Sequence, residues 1–189
     1  TVNSRSEPDV IVVGGGPAGA ATAARLALEG HQVVVYDRAQ FPRPKPCGDT
    51  INSAGVGELT TLGVLEDVLS QPHTKLYGWR IHPARGEAFR GTFPTEARPL
   101  AMARERLDEV LLAHARACGV DVRLGERVVE LLRGRGGEVL GVCLAGGRDR
   151  RARLVIGADG LRSVVLRRLK LISGPPRLRK LALTARVTG

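Results

Sequence analysis

Three glycines and one aspartate have the spacing of a phosphate-binding loop followed by a ribose-binding carboxylate. Gly14, Gly16 and Gly19 form a G-x-G-x-x-G pattern directly after the apolar run 10–13, and Asp37 follows Gly16 by 21 residues. Glycines at these positions let the backbone turn tightly and approach a pyrophosphate, whose charge is stabilised by the N-terminus of the next helix. A carboxylate about twenty residues later accepts the ribose hydroxyl groups. The pattern therefore predicts a dinucleotide site.

The elements that must position this loop can be identified on both sides of it. Pro17 and Ala18 open a helix that is predicted to run to Glu29, and its small residues allow close packing on a sheet. Gly30 stands where a helix C-cap glycine belongs. The apolar run 33–36 predicts the second strand, which ends at the aspartate. A glycine-rich turn without a ligand is the alternative, and the complete strand–helix–strand context argues against it.

The remaining segments predict an α/β fold, in which helices pack on a parallel sheet and a small antiparallel β-meander is added. Apolar spacing predicts an amphipathic helix over 104–117 and a third parallel strand over 120–124. Segments 127–132, 138–144 and 151–156 alternate around glycine-rich turns and predict the three strands of the meander. The shorter predicted elements are a helix from Asn52 or Ser53 to about 62, a short helix at 64–69, an inserted hairpin within about 73–100 and a strand at 100–103.

A composition shift predicts two parts of unequal size. Residues 1–172 are predicted to form the nucleotide-binding domain. Residues 173–189 are predicted to be a linker, Ser-Gly-Pro-Pro, followed by the first strand of a further domain at 180–187. Because this apolar strand has no partner in the sequence, we expect the natural protein to continue beyond Gly189.

Composition and charge restrict the function classes. The chain has 189 residues with 43% hydrophobic content, enough to bury a core. A net charge of +10, mostly from arginine, makes nucleic-acid binding an alternative, but 3% aromatic content and no recognition motif argue against it. No stretch has membrane-spanning length without glycine, proline or charge, so we expect a cytoplasmic protein.

The cysteines do not predict a metal site or a disulfide framework. Cys47, Cys118 and Cys143 form no C-x-x-C pair and have no zinc-type spacing with the four histidines. Cys47 lies on a loop stiffened by three prolines, next to Gly48, which permits an unusual turn. On the same loop, Lys45 either contacts a phosphate or is solvated, and phosphate contact is the favoured interpretation.

Several separated motifs together resemble those of FAD-dependent oxidoreductases of the para-hydroxybenzoate hydroxylase superfamily. They are G-G-G-P-A-G at 14–19, Y-D-R at 36–38, P-x-P-K-P-C-G-D at 42–49, Arg104 at the head of a helix, and G-A-D-G-x-x-S at 157–163. The resemblance covers nearly all of the chain. Within the superfamily, the segment K-P-C-G-D is most similar to the geranylgeranyl reductase branch.

The resemblance implies FAD as cofactor and a role for each motif. The glycine loop would face the FAD pyrophosphate, Asp37 would bind the adenosine ribose, and Arg38 would lie near the adenine. The backbone of Val128 would meet the adenine edge, and Arg104 would support the flavin. The full set of implied cofactor-binding residues is Gly14, Gly16, Pro17, Ala18, Gly19, Asp37, Arg38, Lys45, Cys47, Gly48, Arg104, Val128, Asp159 and Gly160.

Three of these positions carry further implications. Asp159 and Gly160 would form a second pyrophosphate-facing turn, associated with both FAD and a visiting nicotinamide cofactor. Asp159 can orient backbone donors, and Arg162 can offset phosphate charge before a helix capped near Ser163. Cys47 either packs within its loop or lies beside the flavin, without an assignment as nucleophile.

The resemblance also implies a reaction cycle. NAD(P)H would reduce the flavin, and the reduced flavin would reduce a second, small-molecule substrate. In the geranylgeranyl reductase branch, that substrate is a hydrophobic isoprenoid double bond, and peripheral membrane association is compatible with it. The alternatives are a flavin monooxygenase that hydroxylates an aromatic or polyketide-like ring and a noncatalytic FAD-binding module. The isolated chain is expected to turn over no substrate.

Overall fold

The computed structural model describes residues 7–47, 49–95 and 98–172. The four strands of its main sheet are β1 Val10–Val13, β2 Val33–Asp37, β8 Asp121–Leu124 and β12 Leu154–Gly157. They are all parallel and lie in the order β12-β1-β2-β8. Helices cover this sheet and a small antiparallel sheet adjoins it, so the predicted α/β fold class is confirmed.

In the part of the chain that the structure describes, five α-helices, a 3₁₀ helix at Gly160–Arg162 and five short strands complete the architecture outside the meander. The helices are α1 Pro17–Leu28, α2 Ser53–Leu62, α3 Leu65–Leu69, α4 Arg104–Ala117 and α5 Val164–Arg168. The strands are β3 Thr50–Ile51, β4 Thr74–Lys75, β5 Gly78–Ile81, β6 Phe89–Thr92 and β7 Leu100–Ala101. Within the described ranges, no helix is long and apolar enough to cross a membrane.

Local sequence explains where α1 begins and ends. Pro17 occupies the first turn, where its missing N–H removes no helical hydrogen bond. Gly30 follows the helix with a φ of 91°, a left-handed conformation that glycine adopts without strain. The buried face of α1 is made of Gly19 and small alanines, so the helix lies close to the sheet and to α4.

Helix α4 has the bounds that its apolar spacing predicts. Leu111, Leu112 and Ala115 are buried on the face that packs toward α1 and the sheet. One carboxylate, Asp108, lies fully buried among these apolar residues. After the helix, β8 pairs with β2 as the third parallel strand, so that prediction is also confirmed.

The meander differs in one strand from the prediction. It consists of β9 Val128–Arg133, β10 Val139–Leu144 and β11 Arg148–Arg151. The assignment of 151–156 to its third strand is wrong, because 154–157 pairs in parallel with β1. All four residues of β11 are exposed and polar, so hydrophobic alternation gave no sign of this strand.

The segment between β2 and α4 forms the predicted short elements. The Asn52 side chain accepts the backbone N–H of Gly55 at 2.8 Å and caps α2. Strands β5 and β6 form the antiparallel hairpin predicted within 73–100. Strand β7 pairs with both β3 and β4. The predicted linker and strand at 173–189 lie outside the described residues.

Candidate dinucleotide-binding site

A cleft of about 450 Å³ opens at the carboxyl ends of β1, β2 and β12. This edge of a parallel sheet is where ligands of doubly wound folds bind. The predicted site residues in its lining are Gly14, Gly16, Asp37, Arg38, Lys45, Val128 and Asp159. The structure therefore brings together half of the predicted set, from five separate segments of the chain.

The glycine loop forms the floor of the cleft under tight steric limits. Gly14 has a φ of 105°, and a Cβ there would lie 2.5 Å from the carbonyl oxygen of Ala158. A Cβ on Gly19 would overlap the carbonyl oxygen of Gly14. Gly16 caps α1 and supplies no side-chain hydrogen bond to the first-turn N–H groups. These groups are left for an anionic ligand at the helix N-terminus.

Asp37 is nearly buried at the end of β2, with 8% of its surface exposed. Its Oδ2 accepts the backbone N–H of Gly15 at 2.7 Å, and its Oδ1 accepts that of Ala39 at 2.8 Å. The carboxylate thus fixes the glycine loop to the second strand. Each oxygen retains acceptor capacity for another donor, such as a ribose hydroxyl group.

The second turn lies across the cleft from Asp37. Asp159 accepts the backbone N–H of Val164 through Oδ2, and Ser163 caps α5 by accepting the N–H of Leu166 at 3.0 Å. Asp159 Oδ1 is buried and has no hydrogen-bond partner among the described residues. A buried acceptor of this kind is normally satisfied by a further donor. Gly160 has a φ of 75° and lies close to Lys45 Nζ.

Basic side chains dominate the rim and walls of the cleft. They are Arg38, Arg43, Lys45, Arg127, Arg162, Arg167 and Arg168. The acidic residues in the lining are Asp37 and Asp159, each engaged with backbone N–H groups. The resulting positive field favours a ligand that carries phosphate charge.

Sequence reasoning did not identify Arg43 as a site residue. Its guanidinium stacks over the Phe41 ring at 4.6 Å and reaches to 3.9 Å from a carboxylate oxygen of Asp108. Its Nη2 is also 3.8 Å from where a Cβ on Gly16 would lie, so it faces the glycine loop. Its position between two prolines was the one available signal, because this placement stiffens the backbone that carries it.

A second group of predicted residues lies outside the cleft lining, around Arg104. Arg104 donates from Nε to Asp108 Oδ1 at 2.9 Å and from Nη2 to Oδ2 at 3.1 Å. The Arg104 guanidinium also hydrogen-bonds Cys47, which lowers the pKa of that thiol; burial raises this pKa, a hydrogen bond from the Asp49 backbone lowers it, and the Asp49 carboxylate raises it. Arg104 and Cys47 are thus neighbours, as their shared assignment to the flavin side requires. Asp108 was missed by sequence reasoning.

The other predicted site residues lie near the glycine loop, except for one that falls outside the described residues. Pro17 lines an apolar groove between α1, α2 and α4, Ala18 is exposed in the first turn of α1, and Gly19 is buried beneath the loop. Gly48 lies outside the described residues. Cys47, Cys118 and Cys143 form no disulfide with one another.

Comparison with known proteins identifies the family to which this geometry belongs. The family model described as "FAD binding domain" matches residues 7–181. The chain belongs to the FAD-binding domain family. This family assignment confirms the resemblance to the para-hydroxybenzoate hydroxylase superfamily and identifies FAD as the family's cofactor. The glycine cradle and the uncapped N-terminus of α1 fit the pyrophosphate of such a ligand, and the unpartnered Oδ1 of Asp159 fits one of its hydroxyl donors.

The similar proteins include reductases and monooxygenases. The chain is 38% identical over 165 residues to the menaquinone reductase of Mycobacterium tuberculosis, covering 85% of this chain and 40% of that protein. It is 32% identical to the rifampicin monooxygenase of Streptomyces venezuelae, covering 83% and 33%. It is 28% identical to digeranylgeranylglycerophospholipid reductase 1 of Methanosphaera stadtmanae, covering 89% and 41%.

A solved structure shows the same architecture. The probable FAD-dependent monooxygenase PqsL of Pseudomonas aeruginosa matches with a TM-score of 0.78 and 27% identity, covering 92% of this chain and 48% of that one. The chain therefore spans less than half the length of these FAD-binding-domain relatives. The enzyme class predicted from the motifs, an FAD-dependent oxidoreductase, agrees with all four proteins.

Proposed function

We propose that this chain is the FAD-binding part of an NAD(P)H-dependent reductase that saturates an isoprenoid double bond. The observation that carries the proposal is the pairing of the dinucleotide cleft with a separate acidic thiol, Cys47, held by Arg104. The names of two relatives support the reductase class, and one of them specifies a lipid with geranylgeranyl groups. The finer branch assignment rests on these names and on the K-P-C-G-D segment.

The cleft residues supply the cofactor contacts in this proposal. First-turn N–H groups of α1 and the guanidinium of Arg43 would bind the pyrophosphate. Asp37 would accept the ribose hydroxyl groups, and the backbone at Val128 would meet the adenine edge. Asp159 would accept a further donor through its unpartnered Oδ1. When bound, FAD supplies the chemistry of accepting a hydride from NAD(P)H and passing reducing equivalents onward.

Saturation of a carbon–carbon double bond needs one hydride and one proton for each double bond. A thiol with a lowered pKa gives up its proton more readily than an ordinary cysteine and can recover it from water, so Cys47 is our candidate for that proton. The hydrogen bond from Arg104 stabilises the thiolate that remains. A hydroxylase that uses molecular oxygen does not need to deliver a proton to an alkene carbon. The thiol with a lowered pKa therefore favours the reductase class.

The test is anaerobic addition of NADPH or NADH to the purified full-length protein loaded with FAD. We expect the flavin to bleach and then to recover its colour when a polyprenyl lipid is added. The product should gain two hydrogens for each double bond that is saturated, which mass spectrometry detects. Bleaching without recovery in any polyprenyl lipid would contradict the isoprenoid assignment.

A flavin monooxygenase is the second candidate function. The observation that favours it is the similarity to rifampicin monooxygenase and to the probable monooxygenase PqsL. In that case the bleached protein should react only after air is admitted, and an aromatic or polyketide-like substrate should gain one oxygen atom. Protein that never retains a yellow chromophore, even after incubation with excess FAD, would instead favour a noncatalytic module.

A further inference from the structure

Asp108 is a fully buried carboxylate that does not itself line the dinucleotide cleft described above. It lies on α4 among apolar neighbours, and none of its surface is exposed. Burying an isolated carboxylate is costly, so such a group is retained only with strong compensation. Its compensation comes from Arg104, one helical turn earlier, whose side chain is 13% exposed.

The contact between these two side chains is bidentate. Two N–H groups of Arg104 point at the two oxygens of Asp108, at 2.9 and 3.1 Å. Such a fork fixes the plane of the guanidinium as well as its position. Three of the five guanidinium N–H groups remain for other acceptors, and the Cys47 sulfur is one acceptor that they serve.

We propose that Asp108 is a positioning residue for Cys47, acting by holding the Arg104 guanidinium against the sulfur. The inference deepens the proposed function and rests on it for the role of the thiol. Asp108 does not contact substrate or cofactor in this proposal. Its effect on Cys47 passes through Arg104 alone.

The charges around the thiol determine the sign of the effect. Arg104 lowers the pKa of Cys47 by its hydrogen bond and by its charge, and a hydrogen bond from the Asp49 backbone also lowers it, whereas burial and the Asp49 carboxylate raise it. Arg43 is the other cation near Asp108, at 3.9 Å. If Asp108 loses its charge, Arg104 loses its anchor and is free to turn from the sulfur. The thiolate of Cys47 is then less stabilised and forms at higher pH.

The test is a pH profile of alkylation by iodoacetamide, read at each cysteine by mass spectrometry. The full-length protein is used with and without FAD, so the result does not depend on cofactor binding or turnover. Cys143 is an internal reference, because the Asp149 side chain raises its pKa. In the unmodified protein, we expect the Cys47 midpoint to lie below that of Cys143.

Asp108→Asn is expected to move the Cys47 midpoint upward and leave Cys143 unchanged. Alkylation of Cys47 at neutral pH should slow on the order of threefold or more, partly offset because a more basic thiolate is more nucleophilic. The same substitution in an Arg104→Gln background should have no further effect, because the two residues act in series. Glu29→Gln, which removes an exposed Arg25–Glu29 pair with the same helical spacing, is the matched control.

An unchanged Cys47 midpoint in folded Asp108→Asn would overturn the proposal. So would an additive effect of the two substitutions, since it would show that Asp108 acts by another route. If Asp108→Asn does not fold, Asp108→Glu displaces the carboxylate by one methylene and carries the same expected direction. Failure of flavin bleaching, by contrast, would contradict the proposed function without changing the thiol profile.

Discussion

The carboxylate of Asp37 accepts the backbone N–H of Gly15 at 2.7 Å, across 22 residues of sequence. This bond ties the end of β2 to the middle of the glycine loop. Asp37 therefore shapes the loop as well as presenting acceptor capacity to a ribose. One side chain joins the two halves of the predicted fingerprint, and its removal should affect both binding and loop geometry.

Asp37→Ala should weaken FAD binding by about 10- to 100-fold. The substitution removes the ribose acceptor and leaves the buried N–H of Gly15 without a partner, a loss of about 1–3 kcal/mol. The dissociation constant follows from quenching of flavin fluorescence. Asp121→Ala is the control. That carboxylate lies at the start of β8, is 44% exposed and pairs with Arg123. Equal affinity in folded Asp37→Ala would remove this residue from the site.

Gly19→Ala should destabilise the domain by about 2 kcal/mol or more, because the added Cβ overlaps the Gly14 carbonyl oxygen and must push α1 from the loop. Thermal denaturation measures the loss. Gly57→Ala is a matched control inside α2, where a Cβ meets nothing within 4 Å. That variant should be unchanged or up to about 1 kcal/mol more stable, since alanine favours a helix. Similar melting temperatures of both variants would show that the glycine loop can move to accommodate the added Cβ with little loss of stability.

The parts of the fold that were predictable have local signals. Helix α4 has its predicted bounds because apolar spacing marks its face and Gly119 follows its end with a φ of 94°. Strand β11 was missed because its four residues are polar and exposed, so only its pairing with β10 identifies it. The segment 154–157 was misassigned because an apolar run has the same appearance in a meander and in a parallel sheet.

In the candidate site, too, some residues follow from a sequence motif, whereas others depend on contacts between distant segments. Asp37 and the glycine loop follow a fixed spacing, so the sequence alone locates them. Asp108 and Arg43 depend on contacts between the proline-rich loop and α4, which lie far apart in the chain. The one sequence signal for Asp108 was an acidic residue four positions after Arg104, within a helix face that is otherwise apolar. Such an i, i+4 pair is also common on exposed faces, so spacing alone could not show its burial.

Asp9→Asn should lower the melting temperature at pH 7, and this difference should shrink as the pH falls below the unfolded value of 3.8. The Asp9 carboxylate accepts the backbone N–H of Gln32 at 2.9 Å, and this bond, with Arg153, lowers its pKa from the ordinary value of 3.8. A lowered pKa stabilises the fold above the unfolded value, and that stability is lost as pH falls through the folded pKa. Calorimetry across this range measures the difference.

Two further observations would decide the interpretation of the Asp9 result. Arg153→Ala should change little, because its side chain is 87% exposed and surface pairs contribute weakly. A melting difference that stays undiminished as the pH falls well below 3.8 would assign the effect of Asp9→Asn to packing at the start of β1 instead of to charge.

Arg43→Ala should weaken binding of ADP by about 10- to 100-fold and leave binding of adenosine nearly unchanged. The guanidinium is stacked on Phe41 and lies beside Asp108, so it is held in place before a ligand arrives. A preorganised cation loses little entropy on binding a pyrophosphate, and a charge-assisted contact of this kind is worth about 1.5–3 kcal/mol. Isothermal titration with both ligands separates the phosphate contribution from that of the nucleoside.

The salt dependence of ADP binding gives a second, independent measure of the Arg43 contact. Removing a cation that touches phosphate should flatten the decline of affinity with ionic strength, because fewer charges are then screened. Arg148→Ala is the control, since Arg148 is 53% exposed and pairs with Glu126 on the meander. An equal loss of adenosine and ADP affinity in Arg43→Ala would mean that the residue supports the shape of the loop and does not contact the pyrophosphate.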